Sequence, residues 1–201
     1  MRTHQKRSSE RGGAGGREVH LWKGLAAGVV GGLVASAVMN KFQALWSRLA
    51  EGEERSHGAQ SLQQGAPRHG IARELQAVGK DDDEDDAPER LANAISVGVS
   101  QQELTQREKD TAATALHYAM GATSGALYGA AAEIIPAVKV GAGVPFGTVI
   151  WLAVDEGLVP AVGLSKSPAE YPLPVHLYSF SSHVVFGLTT ELVRRAVRNA
   201  L

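Results

Sequence analysis

Apolar and small residues gather in four stretches that charged residues avoid. No Asp, Glu, Lys or Arg occurs in 24–40, 118–132, 140–154 or 177–190. Between the first and second of these, residues 48–110 hold most of the charge. This alternation predicts membrane-spanning helices around a polar loop. The first span is expected over 23–47; its uncharged stretch, 24–40, is at the short end of the roughly 17–25 residues a crossing needs. Trp22 and Trp46 bracket it. At ~1.5 Å per residue they stand roughly 36 Å apart, close to the separation of two interfacial aromatic belts. The basic start and Ala35-Ser36-Ala37 would also suit a cleaved signal peptide.

Three further spans are expected at about 112–137, 140–162 and 174–194. Thr105 followed by Glu108 has the spacing of a capping box, which starts a helix in water ahead of the second span. The third carries Pro145 and Pro160, and 157–163 is expected to leave the helix as a loop or re-entrant segment. Pro172 and Pro174 suit the start of the fourth.

The polar loop is not uniform. Residues 51–70 are poor in large apolar groups and are expected to be flexible. Asp81 to Asp86 is a run of six carboxylates without the spacing of an EF-hand, read as solvated and self-repelling. Over 88–99, Leu91, Ala94, Ile95 and Gly98 recur at helical spacing and predict a short amphipathic helix lying on the membrane or on the other helices.

Small residues recur every four positions, as Gly24, Gly28, Gly32 in the first span and Gly121, Gly125, Gly129 in the second, with Gly187 in the fourth. Lipid supplies no hydrophobic effect between helices, so close backbone approach across glycines must hold them together. His117-x-x-x-Gly121-x-Thr123 also echoes His183-x-x-x-Gly187-x-Thr189.

Composition adds exclusions. The 201 residues contain 20 Lys+Arg, 21 Asp+Glu and no cysteine, for a formal net charge of −1. Disulfide and thiolate chemistry is therefore absent, and nothing in the charge favours nucleic acid. Basic residues sit at Arg2, Lys6, Arg7, Arg11, Arg17, Lys23, Lys139, Arg194, Arg195 and Arg198, with only Lys166 in the other short loop. The positive-inside rule then predicts cytoplasmic termini, and the basic tail, 1–22, also suits anionic headgroups.

Ionisable groups inside spans cost about 2.5–3.5 kcal/mol each and normally face protein or water. Glu191 is expected at the cytoplasmic interface, paired with Arg194 and Arg195, and Glu133 is expected there too, near Lys139. His117, Asp155, Glu156 and His183 are expected to meet in the outer half of the helices. Such a cluster could order the helices, relay protons, hold a divalent metal or sense pH. No phosphate-binding loop, Gly-x-Ser-x-Gly or His-Glu-x-x-His occurs, so no catalytic residue and no cofactor is assigned.

His117-Tyr-Ala-Met-Gly-Ala-Thr-Ser-Gly-Ala-Leu-Tyr-Gly129, Gly143-Val-Pro-Phe-Gly147, Trp151-Leu-Ala-Val-Asp-Glu156, Pro160 and Ser182-His183-Val-Val-Phe-Gly187 resemble the YagU-like family of small bacterial inner-membrane proteins. The resemblance covers about 20–47 and 88–198. It implies a multi-pass inner-membrane protein of uncharacterised role and supplies no catalytic residues. The chain departs from the family after the first span, where an expected Pro-Pro-Arg segment is reduced to Ala66-Pro67-Arg68.

The expectation is an all-α, integral-membrane four-helix bundle with both termini cytoplasmic and a long, polar, partly disordered outer loop. The leading role is a non-enzymatic structural or stress-related component whose partner is the lipid bilayer, with homo-oligomerisation possible. The alternatives are a proton or small-solute transporter using the His/carboxylate cluster, or an adaptor binding a partner through its acidic loop.

Overall fold

The computed structural model describes residues 20–50 and 87–201, and all regular structure in them is helical. The helices are α1 (Leu21–Ala50), α2 (Ala87–Ser100), α3 (Gln106–Ile134), α4 (Val144–Ala153), α5 (Val159–Ala161) and α6 (Leu173–Ala200). A π-helical turn, Val154–Leu158, joins α4 to α5 without a break. The expectations for the basic tail up to Val19, the flexible stretch 51–70, Ala66-Pro67-Arg68 and the acidic run fall outside the described residues.

Several boundaries differ from expectation. The loop expected over 48–110 already contains the end of α1, all of α2 and the first turn of α3. α3 begins at Gln106 because Thr105 caps it: the Thr105 N–H and hydroxyl donate to the Glu108 carboxylate at 2.9 and 2.7 Å. It ends at Ile134 rather than 137, since Pro136 has no N–H to continue the ladder and starts a 3-10 turn instead. The next helix starts at Val144, four residues later than expected. Gly141, Ala142 and Gly143 all adopt positive φ before it, and Pro145 sits in its first turn. Residues 157–161 remain helical and are not a re-entrant loop. The last helix runs to Ala200, held beyond 194 by arginines described below.

α1 lies between α3 and α6, antiparallel to both. Gly24 faces Gly129, Gly28 faces Gly125 and Gly32 faces Gly121. A Cβ on Gly24 would fall 2.6 Å from the Gly129 carbonyl oxygen, and one on Gly125 would fall 2.9 Å from the Gly32 Cα. Across the other side of α1, a Cβ on Gly31 would lie 2.7 Å from the Thr190 carbonyl oxygen. Lys23 Nζ donates to the Leu201 carbonyl at 2.7 Å, which pins the start of α1 to the end of the chain. A third close approach joins α4 to α6, where Gly143 and Gly147 lie against Gly187.

α2 buries Arg90, Ala92 and Asn93 and leaves Ile95 and Val99 exposed. The expected apolar face (Leu91, Ala94, Ile95, Gly98) is therefore not the one packed on the protein. Asn93 is held inward because its Oδ1 accepts the Leu104 N–H at 2.9 Å.

Large and small side chains are sorted the opposite way from a water-soluble core. The largest wholly buried side chains are Glu191, Val175, Thr190, Ser36 and Ser182, while Leu25, Leu33, Leu45, Leu127, Val149, Leu152, Leu177 and Leu192 are exposed. Among the described residues two helices are long and apolar enough to cross a membrane, Leu21–Leu49 and Val144–Ala161, and only 6 % of the second's apolar window is buried. α3 and α6 have the length but not the unbroken apolar composition, because their inward faces carry Gly, Ser, His, Thr and Glu.

Candidate functional site

The polar side chains fall into two groups at opposite ends of the helices. At the terminal end, where α1 starts and α6 finishes, Glu191 is wholly buried. It accepts from Arg194 at 2.6 and 2.9 Å and from Arg195, the i+3 and i+4 partners on its own helix. Its expected pairing is present, but its expected interfacial exposure is not. The Tyr128 hydroxyl donates to the Val138 carbonyl at 3.5 Å, and the Arg194 guanidinium sits 6.0 Å from the Tyr128 ring centre. Glu133 is held by Arg198 across helices, at 2.6 and 3.2 Å.

At the loop end, the π turn presents two consecutive acids to α6. Asp155 accepts from the Ser179 hydroxyl and lies 3.6 Å from His183 Nδ1. His183 Nδ1 also lies 3.0 Å from the Ser179 carbonyl. A carbonyl only accepts, so Nδ1 carries a hydrogen and Nε2 is the basic nitrogen of the neutral ring. Ser179 and His183 are one turn apart on α6, so a single acid on the neighbouring helix reaches both.

His117 joins from α3. It interacts electrostatically with His183 and Asp155, and its ring is turned to the Ser36 backbone of α1. Its Nε2 is buried with no hydrogen-bond partner, as are Ser36 Oγ beside it and Trp151 Nε1. Trp151 stands one turn before Asp155 and meets the Phe180 ring edge to face at 5.2 Å.

Glu156 does not join this group. It pairs with His176 at 2.7 Å, and His176 Nε2 reaches the Pro168 carbonyl at 3.1 Å. The four expected residues thus divide into a trio, His117, Asp155 and His183, of which only His183 is buried, and a second pair in which Glu156 recruits His176. Ser179 and Ser36 were not singled out as site residues. Their signal was the spacing of Ser179 four residues before His183, and the place of Ser36 at the end of the Gly24-Gly28-Gly32 series. Among the described residues no three His, Asp or Glu side chains are arranged to hold a metal ion, which removes support there for the metal-binding alternative.

Between the two ends lies an apolar layer. Tyr128 and Phe146 stack at 4.3 Å, Phe146 meets Phe186 at 5.9 Å, and Ala35, Met39 and Phe186 form a buried cluster with Phe146. The His/Asp group is on one side of this layer and the Glu/Arg group on the other.

Residues 73–192 match a family described as "Protein of unknown function (DUF1440)". No curated protein and no solved structure matches the chain.

Proposed function

The chain belongs to the DUF1440 family of proteins of unknown function, and on that premise we propose that it is a multi-pass inner-membrane protein of the YagU-like kind. Its role in this reading is structural and non-enzymatic, with α1, α3, α4–α5 and α6 as a transmembrane bundle and both termini cytoplasmic. One observation carries the reading: leucines and valines cover the outside while glycine, serine, threonine and a paired glutamate fill much of the inside, around one apolar layer of Tyr128, Phe186 and Met39. In water that arrangement forfeits the hydrophobic effect, whereas in lipid it satisfies every helix. Trp22 and Trp46, exposed near the two ends of α1, suit the two interfaces. The basic residues at the terminal end support the cytoplasmic assignment.

The conducting alternative is disfavoured by the apolar layer of Phe146, Phe186 and Met39, which separates the two polar ends within one chain. Transport would require an oligomer with a path elsewhere. The adaptor alternative rests on the acidic run at 81–86.

The test is fractionation with alkaline carbonate, followed by fusion of reporters to each terminus. The protein should stay in the membrane pellet until detergent is added, with cytoplasm-active reporters working at both ends. Recovery as a detergent-free monomer would overturn the reading.

A further inference from the structure

We propose that the terminal end of the bundle holds the phosphate of an anionic phospholipid between Arg195 and Lys139, with an acyl chain lying along Leu192. The proposal rests on the membrane reading and names the lipid class that this end of the protein takes.

Charge at this end does not balance. Glu191 serves both Arg194 and Arg195, and Glu133 serves Arg198. Lys139 stands within electrostatic range of Glu133 but forms no ion pair among the described residues. Four cations thus face two carboxylates, and Lys23 is already engaged with the Leu201 carbonyl. The surplus is not evenly placed. Arg194 is buried, whereas the Arg195 side chain is 50 % exposed. Arg195 directs Nε to Glu191 and Nη2 to the Lys139 carbonyl. The remaining N–H groups of its fork have no acceptor among the described residues. The Lys139 carbonyl contact also fixes the two cationic residues side by side.

Depth makes that surplus consequential. Against α1, the end of α6 is placed by Lys23 reaching Leu201 and by Gly31 facing Thr190 and Arg194. In that register Arg195 lies about six residues inside the level of Trp22, or ~9 Å. Leu192, three residues before Arg195 and on the same face of α6, is exposed, and so is Val140 beside Lys139. A half-exposed guanidinium between an exposed leucine and the aromatic belt faces lipid, where a cation without a counter-ion is costly. Its stem covers the apolar surface while its head reaches toward the headgroups. The anion there is the phospholipid phosphate. A guanidinium fork matches two phosphate oxygens, and the Lys139 ammonium adds a point charge. A zwitterionic headgroup brings an ammonium of its own, which these cations repel, so a net-anionic lipid is preferred.

Native mass spectrometry in a mild detergent, with dioleoylphosphatidylglycerol or dioleoylphosphatidylethanolamine added, reads the binding. One phosphatidylglycerol per chain should be retained in preference to phosphatidylethanolamine. Lys139→Gln, which breaks no described ion pair, should weaken retention about fivefold, the effect of one cation near an anionic surface. Lys139→Gln/Arg195→Gln should erase the preference. Arg195→Lys, which keeps a charge beside Glu191, should lose less than Arg195→Gln. Arg48→Gln, an exposed cation at the loop end, should change nothing. Millimolar inorganic phosphate should not displace the lipid.

Equal retention of the two lipids, undiminished retention in Lys139→Gln and in the double variant, or displacement by inorganic phosphate would each overturn the proposal. If that happens in a protein that still sediments with membranes, the membrane reading stands and only the lipid site falls. Recovery as a detergent-free monomer overturns both.

Discussion

Gly28 and Gly125 meet backbone to backbone, so that a Cβ built on Gly28 would lie 2.9 Å from the carbonyl carbon of Gly125. Neither position has room for a methyl group, and the atoms in the way are main chain, which cannot rotate aside. Gly125→Leu is therefore expected to cost at least the ~1–3 kcal/mol typical of overpacking, read as loss of accumulation or a lowered Tm in detergent. Gly98→Ala is the control. Nothing lies within 4 Å of a Cβ there, so the exposed helix should gain up to about 1 kcal/mol from propensity alone.

The buried carboxylate at the terminal end gives a ranked prediction. Glu191 is wholly buried and serves two arginines, whereas Glu133 keeps a partly exposed partner in Arg198. Glu191→Gln should destabilise by roughly the 3–5 kcal/mol seen when one member of a buried pair is removed. Glu133→Gln should cost clearly less. Thermal unfolding of both variants in one detergent checks the order, and equal costs would contradict it.

Acid should loosen the start of α3. The hydrogen bonds from the Thr105 hydroxyl and N–H hold the Glu108 carboxyl below its usual range. A carboxylate with a depressed folded pKa contributes stability above its unfolded value, about 4.3, and loses it as pH falls through the folded value. Amide exchange over 105–109, corrected for the intrinsic rate, should accelerate at low pH in the native protein. In Glu108→Ala it should already be fast at neutral pH and gain little more.

The Glu156–His176 pair should tether the connection between α5 and α6. His176 joins the Glu156 side chain to the Pro168 carbonyl, and Tyr171 accepts the Lys166 N–H at 3.1 Å in the same segment. His176→Ala should raise protease cleavage within 163–172 several-fold. Unaltered cleavage would mean that the tether contributes nothing.

What could be read from the chain alone was what repeats at helical spacing. Gly24, Gly28 and Gly32 are visible as a series, and the Glu191 partners are visible because i+3 and i+4 share a helix face. The Thr105–Glu108 box is local for the same reason. The Glu133–Arg198 pair was hidden, since 65 residues separate its members and only the parallel packing of α3 and α6, both antiparallel to α1, brings their ends together. Which face of α2 meets the protein was hidden because Asn93 spends its side chain on a loop amide, which turns a polar position inward and leaves Ile95 facing outward. The split between the Asp155 trio and the Glu156–His176 pair could not be read either. Adjacent acids on a regular helix already diverge by ~100°, but which neighbours each one meets depends on a π turn that has no sequence signature.

That π turn, Val154–Leu158, has one further consequence. It amounts to a single surplus residue in the helix that continues into α5, and every side chain beyond it is rotated relative to a plain helix. Excising one residue, for example Val154, would screw the segment back by ~100° and shorten it by only ~1.5 Å. The carboxylates would be swung off the α6 face, yet the span would stay almost as long. A one-codon deletion is thus the gentlest way to unmake the site while sparing the scaffold.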